Sequence, residues 1–180
     1  MAKRITTSEY FSRAESNRPA ELAYGFVREP PTPYYGHQTV VGRLFRLLSA
    51  HVEERRLGDV CLSPMDVVLD NDAGIIVQPD LMFISSERAG IIRNHVWGAP
   101  DLVVEVASPG TAHYDRTVKL SWYRKYGVRE CWFVHPLTER IDVVDCQGSG
   151  EGSFAGSQTI ASKVLPELTL TVDECFSRLP

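Results

Sequence analysis

Apolar positions along the chain change period several times, and each change marks an element. From His37 to Leu57 the apolar residues Val40, Val41, Leu44, Leu47 and Leu48 recur at steps of three and four, which predicts a long amphipathic helix. Gly58 supplies its stop. Beyond it the period falls. "DVCLSPMDVVLD" and "GIIVQPDLMFIS" read as two strands separated by a turn at Asn71–Gly74, a cluster of turn formers between apolar runs. "DLVVEV" is a further strand, a helix is expected from about Asp115 to Tyr126, and "ECWFVHP" and "RIDVVDC" are strands again. A short helix over residues 6–16, capped by Thr7 or Ser8, precedes a strand pair in "AELAYGFVREPPTPYYG". The prolines of that stretch bar regular structure beyond the pair. Residues 87–97 read as a short helix or loop, "QGSGEGSFAGS" as a Gly/Ser-rich hairpin or loop, and "ELTLTVDECFSRL" as a short strand with a final helical turn. Helices interleaved with strands give an α/β (α+β) domain with a mixed sheet.

Length and composition narrow this picture without changing it. The 180 residues suit one domain, 1–180, with a core that needs no staples. A net charge of −4 argues against avid, nonspecific nucleic-acid binding, which usually shows a basic footprint. The four cysteines are scattered without CxxC spacing, which disfavours a zinc site or a disulfide framework. No apolar leader and no run of membrane-spanning length is seen, so the expected location is the cytoplasm, away from membranes.

The candidate chemistry lies in acids set within apolar strands. In "GAPDLVVEVASPG" the period of two puts Asp101, Val103 and Glu105 on one face and Leu102, Val104 and Val106 on the other, the two acids being about 13 Å apart. They are too far apart to share a proton, yet both can border one cleft. The structural alternative is a strand-start cap at Asp101 and an ordinary ion pair at Glu105. "VQPDLMFIS" repeats the Pro-Asp-Leu start and places Gln78, Asp80 and Met82 on one face. On the following helix Asp115 and Lys119 are four residues apart and meet on one face; the bland alternative is an exposed pair worth little. If that helix folds back on its strand, Lys119 points toward Glu105. Acids on adjacent strands beside a lysine suit phosphodiester hydrolysis, with Mg²⁺ or Mn²⁺ held by hard oxygens and the lysine meeting charge on the phosphate.

The run "PDLMFIS … GAPDLVVEVASPGTAHYDRTVKLSWYRKYGVRECWFVHP" resembles the Uma-type family of restriction endonucleases in the PD-(D/E)XK nuclease superfamily. The resemblance spans about residues 19–145, and the tail from 146 fits loosely. It implies a restriction-endonuclease-like core, a central mixed β-sheet flanked by helices. It also implies that Asp80 and Glu105 are the metal-holding acids and that Lys119 replaces the missing lysine of E-x-K, whose place is taken by Ala107. Asp101, Glu21, His37 and Gln78 follow as accessory positions, Asp101 at the mouth of the site. DNA is the implied substrate and a homodimer the implied assembly. Two departures stand out: Phe26 after Gly25, where the family carries Glu, and His135 in "VHP", where it carries Asp. His135 reads more simply as a satisfied strand-end histidine, and Trp122 and Tyr123 as core rather than base-stacking surfaces. The alternatives are a degenerate member that binds nucleic acid or protein without cutting, and a hydrolase for smaller phosphoesters.

Overall fold

The computed structural model describes residues 3–14, 18–108 and 110–177. Helix α1 is Thr7–Phe11. Its cap is Thr6, one residue before the expected Thr7 or Ser8, because Thr6 and Glu9 form a capping box, each satisfying a free backbone N–H. The helix ends at Phe11, so residues 12–14 of the expected 6–16 helix are not helical; residues 15 and 16 of that expectation lie outside the described residues, as does Pro109 of the Ser-Pro break.

Strands β1 (Glu21–Ala23) and β2 (Phe26–Arg28) form a tight hairpin. Its turn places Tyr24 and Gly25 at positive φ. Gly25 suits this, because a Cβ there would meet the Ile5 carbonyl at 3.0 Å. Helix α2 (Tyr35–Arg55) is the long amphipathic helix; it closes with Arg56 in the left-handed region one residue before Leu57. Then come β3 (Gly58–Leu62), β4 (Val67–Asp70), β5 (Ile75–Val77), β6 (Leu81–Ser85), β7 (Val96–Trp97) and β8 (Leu102–Val106). A 3₁₀ turn, Ser86–Ile91, lies between β6 and β7.

Each of the two strands expected between residues 59 and 85 is in fact two strands, and the reason is that there are two sheets. One has the order β2-β1-β5-β4-β7. The other, completed by β9 (Glu130–His135), β10 (Arg140–Asp145) and β11 (Glu151–Ala155), has the order β11-β10-β9-β8-β6-β3. The apolar run "GIIVQPDLMFIS" leaves the first sheet after Val77 and joins the second at Leu81. Gln78, Pro79 and Asp80 make the crossing, and Pro79 cannot donate to a ladder. The Gly/Ser-rich stretch is a hairpin, β10 pairing β11. The strand expected near Leu170 reduces to a single Thr159–Thr171 bridge before helix α5 (Val172–Phe176).

Parallel pairing of β8 with β9 needs a crossover connection. One continuous helical run supplies it: α3 (Ala112–Tyr114), a π-helical stretch (Asp115–Lys119) and α4 (Leu120–Tyr126). Gly127 ends it at positive φ. The second sheet is therefore covered on both faces. Leu102, Val104 and Val106 of β8 pack toward Val41, Leu44 and Leu48 of α2. On the opposite face Val103 packs with Leu120, Trp122 and Tyr123 of α4. Leu44 and Leu102 are completely buried, each contributing about 1.5–3 kcal/mol through burial. The only residue of β8 that breaks this apolar pattern is Glu105.

Candidate active site

The strand alternation expected for β8 sends Glu105 toward the crossover helix, and the helix answers it. Lys119 Nζ lies 2.7 Å from Glu105 Oε1, 2.9 Å from Glu21 Oε1 and 3.5 Å from Asp115 Oδ1. Lys119 and Glu105 are only 3% and 4% exposed. The π-helical stretch contains both Asp115 and Lys119, and Leu120 N–H reaches back to the Asp115 carbonyl. Such widened turns recur at functional sites. The Asp115–Lys119 pair is thus buried, not the exposed pair of the bland reading.

Tyr123 completes the cluster. Its hydroxyl donates to Glu105 Oε1 at 2.5 Å, and its ring is fully buried. Tyr123 packs in the core as its sequence context suggests, and its hydroxyl adds a contact to the site that this context does not announce. A signal was present: Asp115, Lys119 and Tyr123 follow at steps of four, one helical face.

Asp80 approaches from the crossing between sheets. Its Oδ2 accepts the Val106 N–H at 2.7 Å, next to Glu105 in β8, and lies 3.2 Å from His37 Nε2. His37 stands in the first turn of α2, and its Nδ1 is buried without a hydrogen-bond partner among the described residues. Glu21 enters from β1; besides Lys119 it meets Arg28 Nη1 at 3.2 Å and accepts the Gln78 N–H at 3.3 Å. Asp80, Glu105, Lys119, Glu21, His37 and Gln78 all line one cleft of about 460 Å³. Gln78 does so with its amide turned away, donating to Asp66 and accepting from Ala20 N–H. It therefore braces the wall and does not face the acids.

Asp101 does not stand at the mouth of the site. It precedes β8, is fully buried, and accepts from Ser85 N–H, Arg88 and Arg129. It is absent from the cleft lining. The period-two argument fails because the strand begins only at Leu102, so Asp101 turns to tie β6 and β9 together. Phe26 also lies outside the cleft, with Arg4 stacked 5.2 Å above its ring. His135 is satisfied across the hairpin by Asp142 at 2.9 Å.

The electrostatics follow from crowding acids around one ammonium. Burial alone would lower the Lys119 pKa, but Glu105, Glu21 and Asp115 outweigh it and hold Lys119 well above its ordinary range. Burial pushes Glu105 well up; Lys119 pulls it back, while Asp115 and Asp80 push it further. Burial likewise raises Asp115, opposed by Lys119. Burial pulls His37 down, yet the hydrogen bond and charge of Asp80 raise it overall. The cluster has more acid than base, which invites a further cation.

Among the described residues no group of three or more His, Cys, Asp and Glu side chains is placed to hold a metal ion. Two carboxylates nevertheless suffice for Mg²⁺, which keeps several waters. Asp80 and Glu105 fit that need: Asp80 is engaged through Oδ2 and Glu105 through Oε1.

An acid ahead of one strand, an acid within its neighbour and a lysine on the crossover helix, set on a mixed sheet, define a restriction-endonuclease-like protein. A solved structure from Anabaena variabilis ATCC 29413, described as "a putative nuclease belonging to DUF820", superposes with a TM-score of 0.81 at 19% identity, covering 96% of this chain and 98% of that one. This likeness establishes the fold. The chain belongs to the Uma2 family, described as "Putative restriction endonuclease", which it matches over residues 7–173, well beyond the 19–145 suggested by motif. No curated protein matches the chain. Among the described residues, no helix is long and apolar enough to cross a membrane.

Proposed function

We propose that the chain is an endonuclease that hydrolyses phosphodiester bonds in DNA and requires Mg²⁺ or Mn²⁺. The observation that carries this reading is the 2.7 Å contact of Lys119 with Glu105 in the cleft that Asp80 also lines. Asp80 and Glu105 are the residues that would hold the ion. When bound, it supplies a more acidic water and stabilises charge on the phosphate.

The protein's own groups do the remaining work. Lys119 is charged at neutral pH, since three carboxylates hold its proton. Its ammonium meets negative charge that grows on the phosphate oxygens during attack. A group fixed in place beforehand costs no reorganisation at that moment. Glu21 and Asp115 fix it. His37 and the Val106 N–H orient Asp80 from two sides. Arg28, on the cleft wall, supplies a cation for the neighbouring backbone.

The test is cleavage of supercoiled plasmid and of circular single-stranded DNA by purified protein with Mg²⁺, with Mn²⁺ and with EDTA. Nicking or cutting that EDTA abolishes is the expected result. No cleavage with either ion would favour the second reading, a module that binds nucleic acid or protein without cutting. The observation on its side is that Lys119 is already engaged by three carboxylates.

A further inference from the structure

We infer that Cys131 and Cys146 are a reversible redox pair, which hydrogen peroxide closes to a disulfide behind the floor of the cleft. This does not rest on the nuclease reading. The cysteines are scattered along the sequence, yet the fold brings these two sulfurs to 3.2 Å. Cys131 lies in β9 opposite Val144. Cys146 follows β10 by one residue, and its N–H donates to the Arg129 carbonyl at 2.9 Å. The two residues therefore sit diagonally across one antiparallel ladder, on the face that packs with α4. A disulfide bond is about 2.05 Å long, so closure asks for roughly 1 Å of sulfur movement.

A buried cysteine often acts only as a small apolar side chain. Cys175 is of that kind: its thiol donates to the Thr171 carbonyl, and burial pushes its pKa up to about 12. Cys146 differs on two counts. It is 5% exposed and opens onto residues 147–150, an exposed turn, which gives a small oxidant a way in. The hydrogen bond from Cys131 also pulls the Cys146 thiol below its ordinary range against the effect of burial, and Arg124 adds to the pull. A thiolate is the nucleophilic form. Burial holds Cys131 well above its ordinary range, so it keeps its proton and serves as the resolving thiol.

The steps balance. The Cys146 thiolate attacks one peroxide oxygen; the O–O bond breaks, leaving Cys146–SOH and a hydroxide that takes a proton from solvent. Cys131 sulfur then attacks Cys146 sulfur, and its proton leaves with the departing hydroxyl as water. Two thiols lose two electrons and one peroxide becomes two waters. The product would stand close to the candidate site. Cys131 pairs with Val103 of β8 and packs in one cluster with Val103 and Tyr123, whose hydroxyl holds Glu105.

The experiment treats the purified, reduced protein with a small excess of hydrogen peroxide. Thiols are counted with Ellman's reagent in denaturant over time, and the cysteines are mapped by mass spectrometry of non-reduced peptides. The count should fall from four to two and return to four with dithiothreitol. The map should show a Cys131–Cys146 peptide within one chain, formed before the more exposed Cys61 reacts. Cys131→Ser should instead leave Cys146 as a sulfenic acid that dimedone labels. Four thiols persisting in wild type, a loss that maps first to Cys61 or Cys175, or Cys146 passing to sulfinic acid with Cys131 still free overturns the inference. The wild-type map decides even where Cys131→Ser does not fold.

Discussion

Replacing Lys119 by Met removes one positive charge and little volume, and its cost follows from what surrounds the ammonium. An exposed i,i+4 pair would be worth a few tenths of a kcal/mol. Here the lysine is 3% exposed and shared by three carboxylates. Breaking a buried ion pair costs about 3–5 kcal/mol, because the remaining charge is stranded. That is a large part of a typical stability of about 5–15 kcal/mol. The burden is uneven. Glu21 keeps Arg28 and Asp115 keeps Thr111, whereas Glu105 keeps only the Tyr123 hydroxyl. Burial already raises the Glu105 pKa, and losing Lys119 raises it more. An acid with a raised folded pKa holds its proton longer in the folded state. Its penalty is absent below the unfolded value near 4.5 and grows as pH rises through the folded value. Urea unfolding of wild type and Lys119→Met at pH 8 and pH 5.5 should therefore show a loss of about 3–5 kcal/mol at pH 8 that shrinks at pH 5.5. Adding Glu105→Gln should recover part of the loss at pH 8. A loss below about 1 kcal/mol, or one equal at both pH values, would refute the buried-cluster reasoning.

Asp101→Asn removes a carboxylate that ties Ser85 N–H, Arg88 and Arg129. It should cost about 1.5–3 kcal/mol near neutral pH while leaving DNA cleavage intact. Burial would raise the Asp101 pKa, but the Ser85 N–H and Arg129 lower it overall. The difference from wild type should therefore vanish as pH falls below 3.8 and through the folded value, which acid unfolding can follow. His37 should titrate above 6.5 in an NMR pH series and shift down in Asp80→Asn, since Asp80 is what raises it; an unchanged shift would separate the two residues. Asp80→Asn should also weaken Mn²⁺ binding by calorimetry without a change in melting temperature, the amide oxygen still accepting Val106 N–H.

The sequence made α2 and the β8–helix–β9 crossover legible because their periods are long or their punctuation is clear. The facing of Glu105 and Lys119 followed from strand alternation and a short connection. The split into two sheets was hidden because Ile75–Val77 and Leu81–Ser85 read as one apolar run, and only Gln78-Pro79-Asp80 hints at a crossing. Asp101 was misplaced because alternation was extended one residue past the true strand start. Glu21 was noted as an accessory, but its contact with Lys119 joins residues 98 positions apart through two sheets, which no local pattern reports. Tyr123 hides differently: a ring buried in the core has an unremarkable sequence context, and only its spacing from Lys119 relates its hydroxyl to the site.

The most direct test of the catalytic account is single-turnover cleavage of end-labelled DNA in Mn²⁺ by wild type and Glu105→Gln, with circular dichroism on both. The substitution keeps size and the ability to accept from Lys119 and Tyr123, but removes the charge that would hold the ion. The account predicts an unchanged spectrum and a rate lower by roughly two to three powers of ten. Equal rates would contradict it and take Glu105 out of the chemistry.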